Sequence, residues 1–189
     1  MRRISPVCPK CYSQNTYDII PGIQDLPQIQ LLNEPFSVDI HQMTIGNAKY
    51  HCIECSYTWK KYRGRKPYDC IKKIDAYAGG YPGPYFRLKI DLETREVVSE
   101  STTVEYIYEP VSALLTFKDI ELFRSELYKC DFVNWAEEYV APGVLDGTHW
   151  STRIEYDTHC EIKMGDNHFP LKWAKFCKAI SKLAGSEFF

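Results

Sequence analysis

Cys8-Pro-Lys-Cys11 and Cys52-Ile-Glu-Cys55 are two cysteine pairs at the same CxxC spacing. Each presents two thiols to a common point, and four thiolates match the tetrahedral demand of Zn²⁺, which takes sulfur at about 2.3 Å. Any fold of this chain has to bring the two pairs together. A site closed by four protein ligands leaves no position for substrate, so one structural zinc per chain is expected, held by Cys8, Cys11, Cys52 and Cys55.

The 40 residues between the hooks, 12 to 51, exceed the roughly 15–20 of common double-CxxC sites. Loop closure grows only with the logarithm of length, so the longer insert costs on the order of 0.7 kcal/mol. Zinc binding of ~10–16 kcal/mol at neutral pH outweighs that cost. Two disulfides or a redox CxxC are weaker readings. Paired CxxC in an intracellular chain points to metal, and neither hook leads into a helical pattern.

The stretch Tyr50-His51-Cys52-Ile53-Glu54-Cys55-Ser56-Tyr57-Thr58-Trp59 resembles the second knuckle of a zinc ribbon, and the resemblance covers roughly residues 5–62. It implies strands that deliver and leave the second cysteine pair. Ribbon knuckles often carry glycine after their second cysteine, whereas Tyr12 and Ser56 stand there in this chain. Ribbons serve transcription, translation and protein docking alike, so the resemblance specifies a metal without specifying a task.

Of the 189 residues, 44% are hydrophobic, enough for an ordinary core in one domain or two small ones. The first residues lack the apolar run of a secretory signal, and no stretch approaches the ~20 apolar residues of a membrane span. A cytoplasmic protein is expected, with the remaining cysteines as thiols. Residues 1–78 carry 11 Lys and Arg against 7 Asp and Glu, and residues 79–189 carry 12 against 18. A basic front and an acidic back suggest surfaces for different partners.

The fold class expected is α+β. A small antiparallel sheet is built from Asn15–Ile20, Ser37–Ile45, Ala48–Ile53 and Tyr57–Tyr62, with Gly46-Asn47 as a hairpin turn. A short helix is expected over Asp69–Tyr77. The glycines and prolines of Ala78–Pro84 mark a connector between a domain at 1–78 and another at 85–189.

Beyond it, Phe86, Leu88, Ile90 and Leu92 alternate with polar residues as a half-buried strand does. Extended sequence continues through Val97 to Tyr108. Thr116 and Asp119 form a capping box for a helix carrying Ile120, Phe123, Leu127 and Cys130. Asp131 is expected to start another helix with Phe132, Trp135 and Tyr139 on one face. A hairpin about Asp157-Thr158 and a last helix with Trp173, Phe176, Ile180 and Leu183 inward complete a strand-strand-helix-strand-strand-helix order. The phrases Asp146-Gly147-Thr148-His149-Trp150 and Gly165-Asp166-Asn167-His168-Phe169-Pro170, with Trp173, are similar to a domain of uncharacterised bacterial proteins. That resemblance covers roughly residues 130–184 and implies no activity.

No phosphate-cradling, dinucleotide-binding or zinc-protease motif occurs, so there is no small-molecule signature. A catalytic reading would pair Cys160 with His149 or His168, because a nucleophilic thiolate needs an imidazole in hydrogen-bond reach. The stronger candidate is the strip from Trp59 to Lys73, with seven basic residues and one acid. There Lys60, Lys61, Arg63, Arg65 and Lys66 offer charge to phosphates, and Trp59 and Tyr62 offer planes to bases. The expectation is a zinc-stabilised, non-enzymatic protein that engages a nucleic acid or a protein. An enzyme centred on His149, Cys160 and His168 is the alternative.

Overall fold

A computed structural model describes residues 5–19, 48–144 and 146–189. The chain is mixed α+β, mostly sheet, and divides into two compact units, Met1–Lys61 and Tyr62–Phe189.

In the first unit β1 (Thr16–Asp18), β2 (Tyr50–Cys52) and β3 (Thr58–Trp59) form an antiparallel sheet in that order. The pairing sets Thr16 beside Cys52 and Tyr50 beside Trp59. Among its described residues Cys8, Cys52 and Trp59 form a buried cluster, with Cys11, Tyr50, Cys55 and Tyr57 packed around them. The strand expected over Ser37–Ile45 and the turn at Gly46-Asn47 lie outside the described residues.

The second unit starts with a single helical turn, α1 (Lys66–Asp69), and is built on β4 (Lys73–Gly80), β5 (Tyr85–Asp91), β6 (Glu96–Thr102) and β7 (Val111–Leu114). After α2 (Phe117–Lys129) come a 3-10 turn at Phe132–Asn134, β8 (Glu138–Val140), β9 (Thr148–Glu155), β10 (Cys160–Asp166) and α3 (Trp173–Ala184). The sheet order is β7-β6-β5-β4-β9-β10-β8, and every pairing is antiparallel except that of β8 with β10.

Period-two alternation gives this sheet a buried face. Ile74, Ala76 and Ala78 of β4, Leu88 and Ile90 of β5, and Trp150, Thr152 and Ile154 of β9 all point inward. Against them α3 sets Trp173, Phe176 and Ile180, with Trp150 and Trp173 at 4.6 Å and Phe132 stacked on Phe176 at 4.9 Å. The capping box of α2 is formed: Thr116 Oγ1 accepts from the Asp119 amide, and the Asp119 carboxylate accepts from the Thr116 amide.

Three expectations meet a different structure. Only Lys66–Asp69 is helical, and 73–80 is a central strand. Ile74, Ala76 and Ala78 alternate with Lys73, Asp75 and Tyr77, and partners on both sides satisfy the backbone. The connector expected at 78–84 is the end of β4 and the turn into β5, while the division between units falls after Lys61. The helix expected from Asp131 is a 3-10 turn followed by β8, although Phe132, Trp135 and Tyr139 are all buried. The short edge strands β7 and β8 were not foreseen.

Candidate metal centre

The two hooks are local copies of one backbone turn. In the first, the Cys8 amide donates to the Ser13 carbonyl at 3.0 Å; in the second, the Cys52 amide donates to the Tyr57 carbonyl at 2.9 Å. Both bonds span five residues, and in both the residue after the second cysteine is left-handed, with φ of 64° at Tyr12 and 57° at Ser56. These are the two positions where ribbon knuckles often place glycine. Asn15 ties the hooks together, its carbonyl accepting from the Ile53 amide at 3.0 Å and its side-chain amide donating to Glu54 at 2.9 Å.

The result is one cluster of four thiols. Cys8 and Cys55 Sγ are 3.7 Å apart, Cys11 and Cys52 Sγ are 3.5 Å apart, and all four lie within 4.8 Å of one another. Four sulfurs about 2.3 Å from a central ion sit about 3.8 Å from each other on a tetrahedron, so the arrangement could hold a metal ion such as zinc. The sulfurs are unbonded, all four cysteines being free thiols and their separations far beyond the ~2.05 Å of a disulfide. Among the described residues this is the one such cluster of His, Cys, Asp and Glu side chains.

Burial raises the Cys8 and Cys55 thiols above their ordinary range. Cys52 moves the other way. Burial pushes it up too, but hydrogen bonds from the Cys55 amide, the Cys11 thiol and the Glu54 amide outweigh that push. Within the second hook these hydrogen bonds outweigh burial at Cys52 and not at Cys55.

The strip that follows is divided between the two units. Trp59 is buried, flanked by Tyr57 in a stacked arrangement at 6.1 Å and by Tyr50 at 5.6 Å, so its ring belongs to the first unit's core. Lys60 is exposed and Lys61 half-buried. In the second unit Tyr62, Arg63, Arg65 and Lys66 are exposed. The backbone of Tyr62 is fixed on both sides by the Asn134 side chain, whose Oδ1 accepts from the Tyr62 amide at 2.7 Å and whose Nδ2 donates to the Tyr62 carbonyl at 3.0 Å.

His149 and Cys160 are not brought together. His149 pairs with Asp166 at one end of the β9–β10 ladder, and Cys160 faces Glu155 at the other. Six residues of strand at ~3.3 Å each put about 20 Å between the two positions. His168 is half-buried, its ring edge-on to Tyr139 and its carbonyl accepting from Trp150 Nε1 at 2.8 Å. Cys130 and Cys177 are buried, and Cys70 and Cys160 are exposed.

The Asp146–Trp150 and Gly165–Pro170 phrases are explained by packing. The Asn167 side chain accepts from the Thr148 amide and donates to the Asp146 carbonyl. A Cβ on Gly165 would lie 2.4 Å from Trp150 Nε1 and 2.5 Å from the His168 carbonyl oxygen. These residues lock the start of β9 to the end of β10.

No protein-family model matches the chain, and no curated protein matches it. No helix among the described residues is long and apolar enough to cross a membrane.

Proposed function

We propose that the protein is a cytoplasmic, zinc-stabilised binding protein without catalytic activity, in which a zinc-ribbon-like unit accompanies an α+β unit and the partner is a nucleic acid. The observation that carries the reading is the closed set of four thiols. With every tetrahedral position taken by cysteine, a bound zinc would stabilise the fold and have no place for a substrate or activated water. The separation of Cys160 from His149 argues in the same direction against thiol catalysis.

Nucleic acid is favoured over an acidic protein because Tyr62 is positioned as well as exposed. Asn134, itself donating to Asp131 at 2.7 Å, holds the Tyr62 backbone to the second unit. Tyr62 is 41% exposed and stands among Lys60, Lys61, Arg63, Arg65 and Lys66 in sequence. A base can stack on it while the cations meet phosphates.

The test is a salt titration of labelled single-stranded RNA and DNA with the zinc-loaded protein. The logarithm of affinity is expected to fall with the logarithm of salt at roughly 0.7 per phosphate contacted. Tyr62→Ala is expected to cost about 1–3 kcal/mol. Joint substitution of Lys60, Lys61, Arg63 and Arg65 by alanine is expected to flatten the salt dependence. No binding at low salt by the intact protein would defeat the nucleic-acid reading.

A further inference from the structure

One end of the seven-stranded sheet is formed by β7, a four-residue edge strand directly after Pro110. All four of its residues are exposed, and among the described residues no lysine, inward charge or covering segment blunts it. Six large apolar side chains crowd there in the open: Tyr106, Ile107, Tyr108, Val111, Leu114 and Phe117, with Ile107 85% and Leu114 76% exposed. At ~150–250 Å² for a whole aromatic side chain, together they present on the order of 700 Å². Alternation sets Val111 and Leu114 on opposite faces of the sheet, so a partner strand would cover part of this area on each face.

The hydrogen-bonding side of the strand is also open. The Leu115 amide donates inward to the Arg95 carbonyl at 2.7 Å, and the β6–β7 register pairs Val97 with Ala113 and Ser99 with Val111. In an antiparallel ladder the hydrogen-bonding direction alternates from residue to residue. Val111, Ala113 and Leu115 therefore bond toward β6, and the amides and carbonyls of Ser112 and Leu114 point outward.

We infer that β7 is the interface of a symmetric homodimer, in which it pairs antiparallel with β7 of a second copy and joins the two sheets. With Ala113 opposite Ala113 on the two-fold axis, Ser112 of each copy meets Leu114 of the other. Both outward amides and both outward carbonyls of each strand are then satisfied. Ala113 is small enough for close approach at the axis.

Charge selects the same arrangement. Glu105 and Glu109 precede the strand, and its far end carries Arg95, whose guanidinium lies 4.9 Å over the Phe117 ring, and Lys118, beside Glu96 and Asp119. An antiparallel two-fold about Ala113 brings Glu109 of each copy near Lys118 of the other. A parallel pairing would set like against like. A second copy is thus complementary in hydrogen bonding, and the Glu109–Lys118 pair favours the antiparallel arrangement.

The experiment is light scattering on the size-separated, zinc-loaded full chain near 100 μM. The expected mass is twice the 22.0 kDa of one chain. Ser112→Pro removes an outward amide and leaves the bonds toward β6 in place, and Leu114→Lys puts a charge on an already exposed position. Both are expected to run as single chains with an unchanged thermal midpoint of the dilute protein. Glu109→Lys and Lys118→Glu should each weaken the dimer at least tenfold, and the two together should restore it. A wild-type chain at 22.0 kDa, an open-ended oligomer, or a dimer indifferent to both Ser112→Pro and Leu114→Lys would overturn the inference.

Discussion

Tyr12 and Ser56 hold the same left-handed conformation at the same place in the two hooks, each one residue past its second cysteine. A side chain with a Cβ is disfavoured there by roughly 1–2 kcal/mol. Glycine at Ser56 would remove that strain and give back ~0.5–1 kcal/mol through its freer unfolded chain. Ser56→Gly is therefore expected to stabilise the first unit by up to about 1 kcal/mol without loss of metal. Ser56→Val, β-branched and left-handed, should destabilise it. Thermal melts followed by Trp59 fluorescence would distinguish the two.

Gly165→Ala tests whether the glycine-containing phrases of β9 and β10 are there for packing. The added methyl would meet the Trp150 indole and the His168 carbonyl. Overpacking of this kind costs typically 1–3 kcal/mol. Denaturant unfolding should show a loss of at least that size, and an unchanged midpoint would mean the loop has room that its geometry denies.

Lys163 lies inside the second unit, its ammonium donating to the Trp135 carbonyl at 2.9 Å, with Glu161 at 3.4 Å. Burial pulls its pKa below the ordinary 10.5, against the opposing pull of Glu161 and Glu137. The unfolded chain therefore holds this proton to higher pH than the folded one. Folded stability should rise as pH climbs from the lowered value toward 10.5, the charge being least welcome below it. Lys163→Met should lack that rise. The difference between the two proteins' unfolding free energies from pH 8 to 10.5 is the quantity to follow, and parallel curves would refute the assignment.

The hooks were legible because a four-thiol cluster able to hold a metal is written in local spacing: two cysteines three apart, twice. The α2 capping box was equally local. The strand at Lys73–Gly80 was not, because Asp69–Tyr77 contains residues comfortable in a helix and only pairing with β5 and β9 decides the matter. Phe132, Trp135 and Tyr139 were recognised as inward-facing, yet spacings of three and four describe burial in a 3-10 turn and short strand as well as in a helix. β7 gave no alternation to read, since all four of its residues are exposed. The burial of Trp59 beneath Tyr50 and Tyr57 follows from the β2–β3 register, which no spacing in the strip announces.

Replacing one thiol should have unequal effects on the two units. If the four thiols hold a metal, Cys55→Ser leaves three ligands and removes folding free energy from a unit whose described core is built on the cysteines and Trp59. The first unit is expected to lose protection in hydrogen exchange, while the amides of β4, β5 and β9 keep theirs. Uniform loss across both units would show that the second depends on the metal as well.

The most direct measurement is the native mass and metal content of the protein purified without added metal. One zinc per chain, lost on Cys8→Ser or Cys52→Ser and retained on Cys130→Ser or Cys160→Ser, is the predicted result. A metal-free chain that is nonetheless folded around Trp59, or zinc that survives substitution of the hook cysteines, would contradict it.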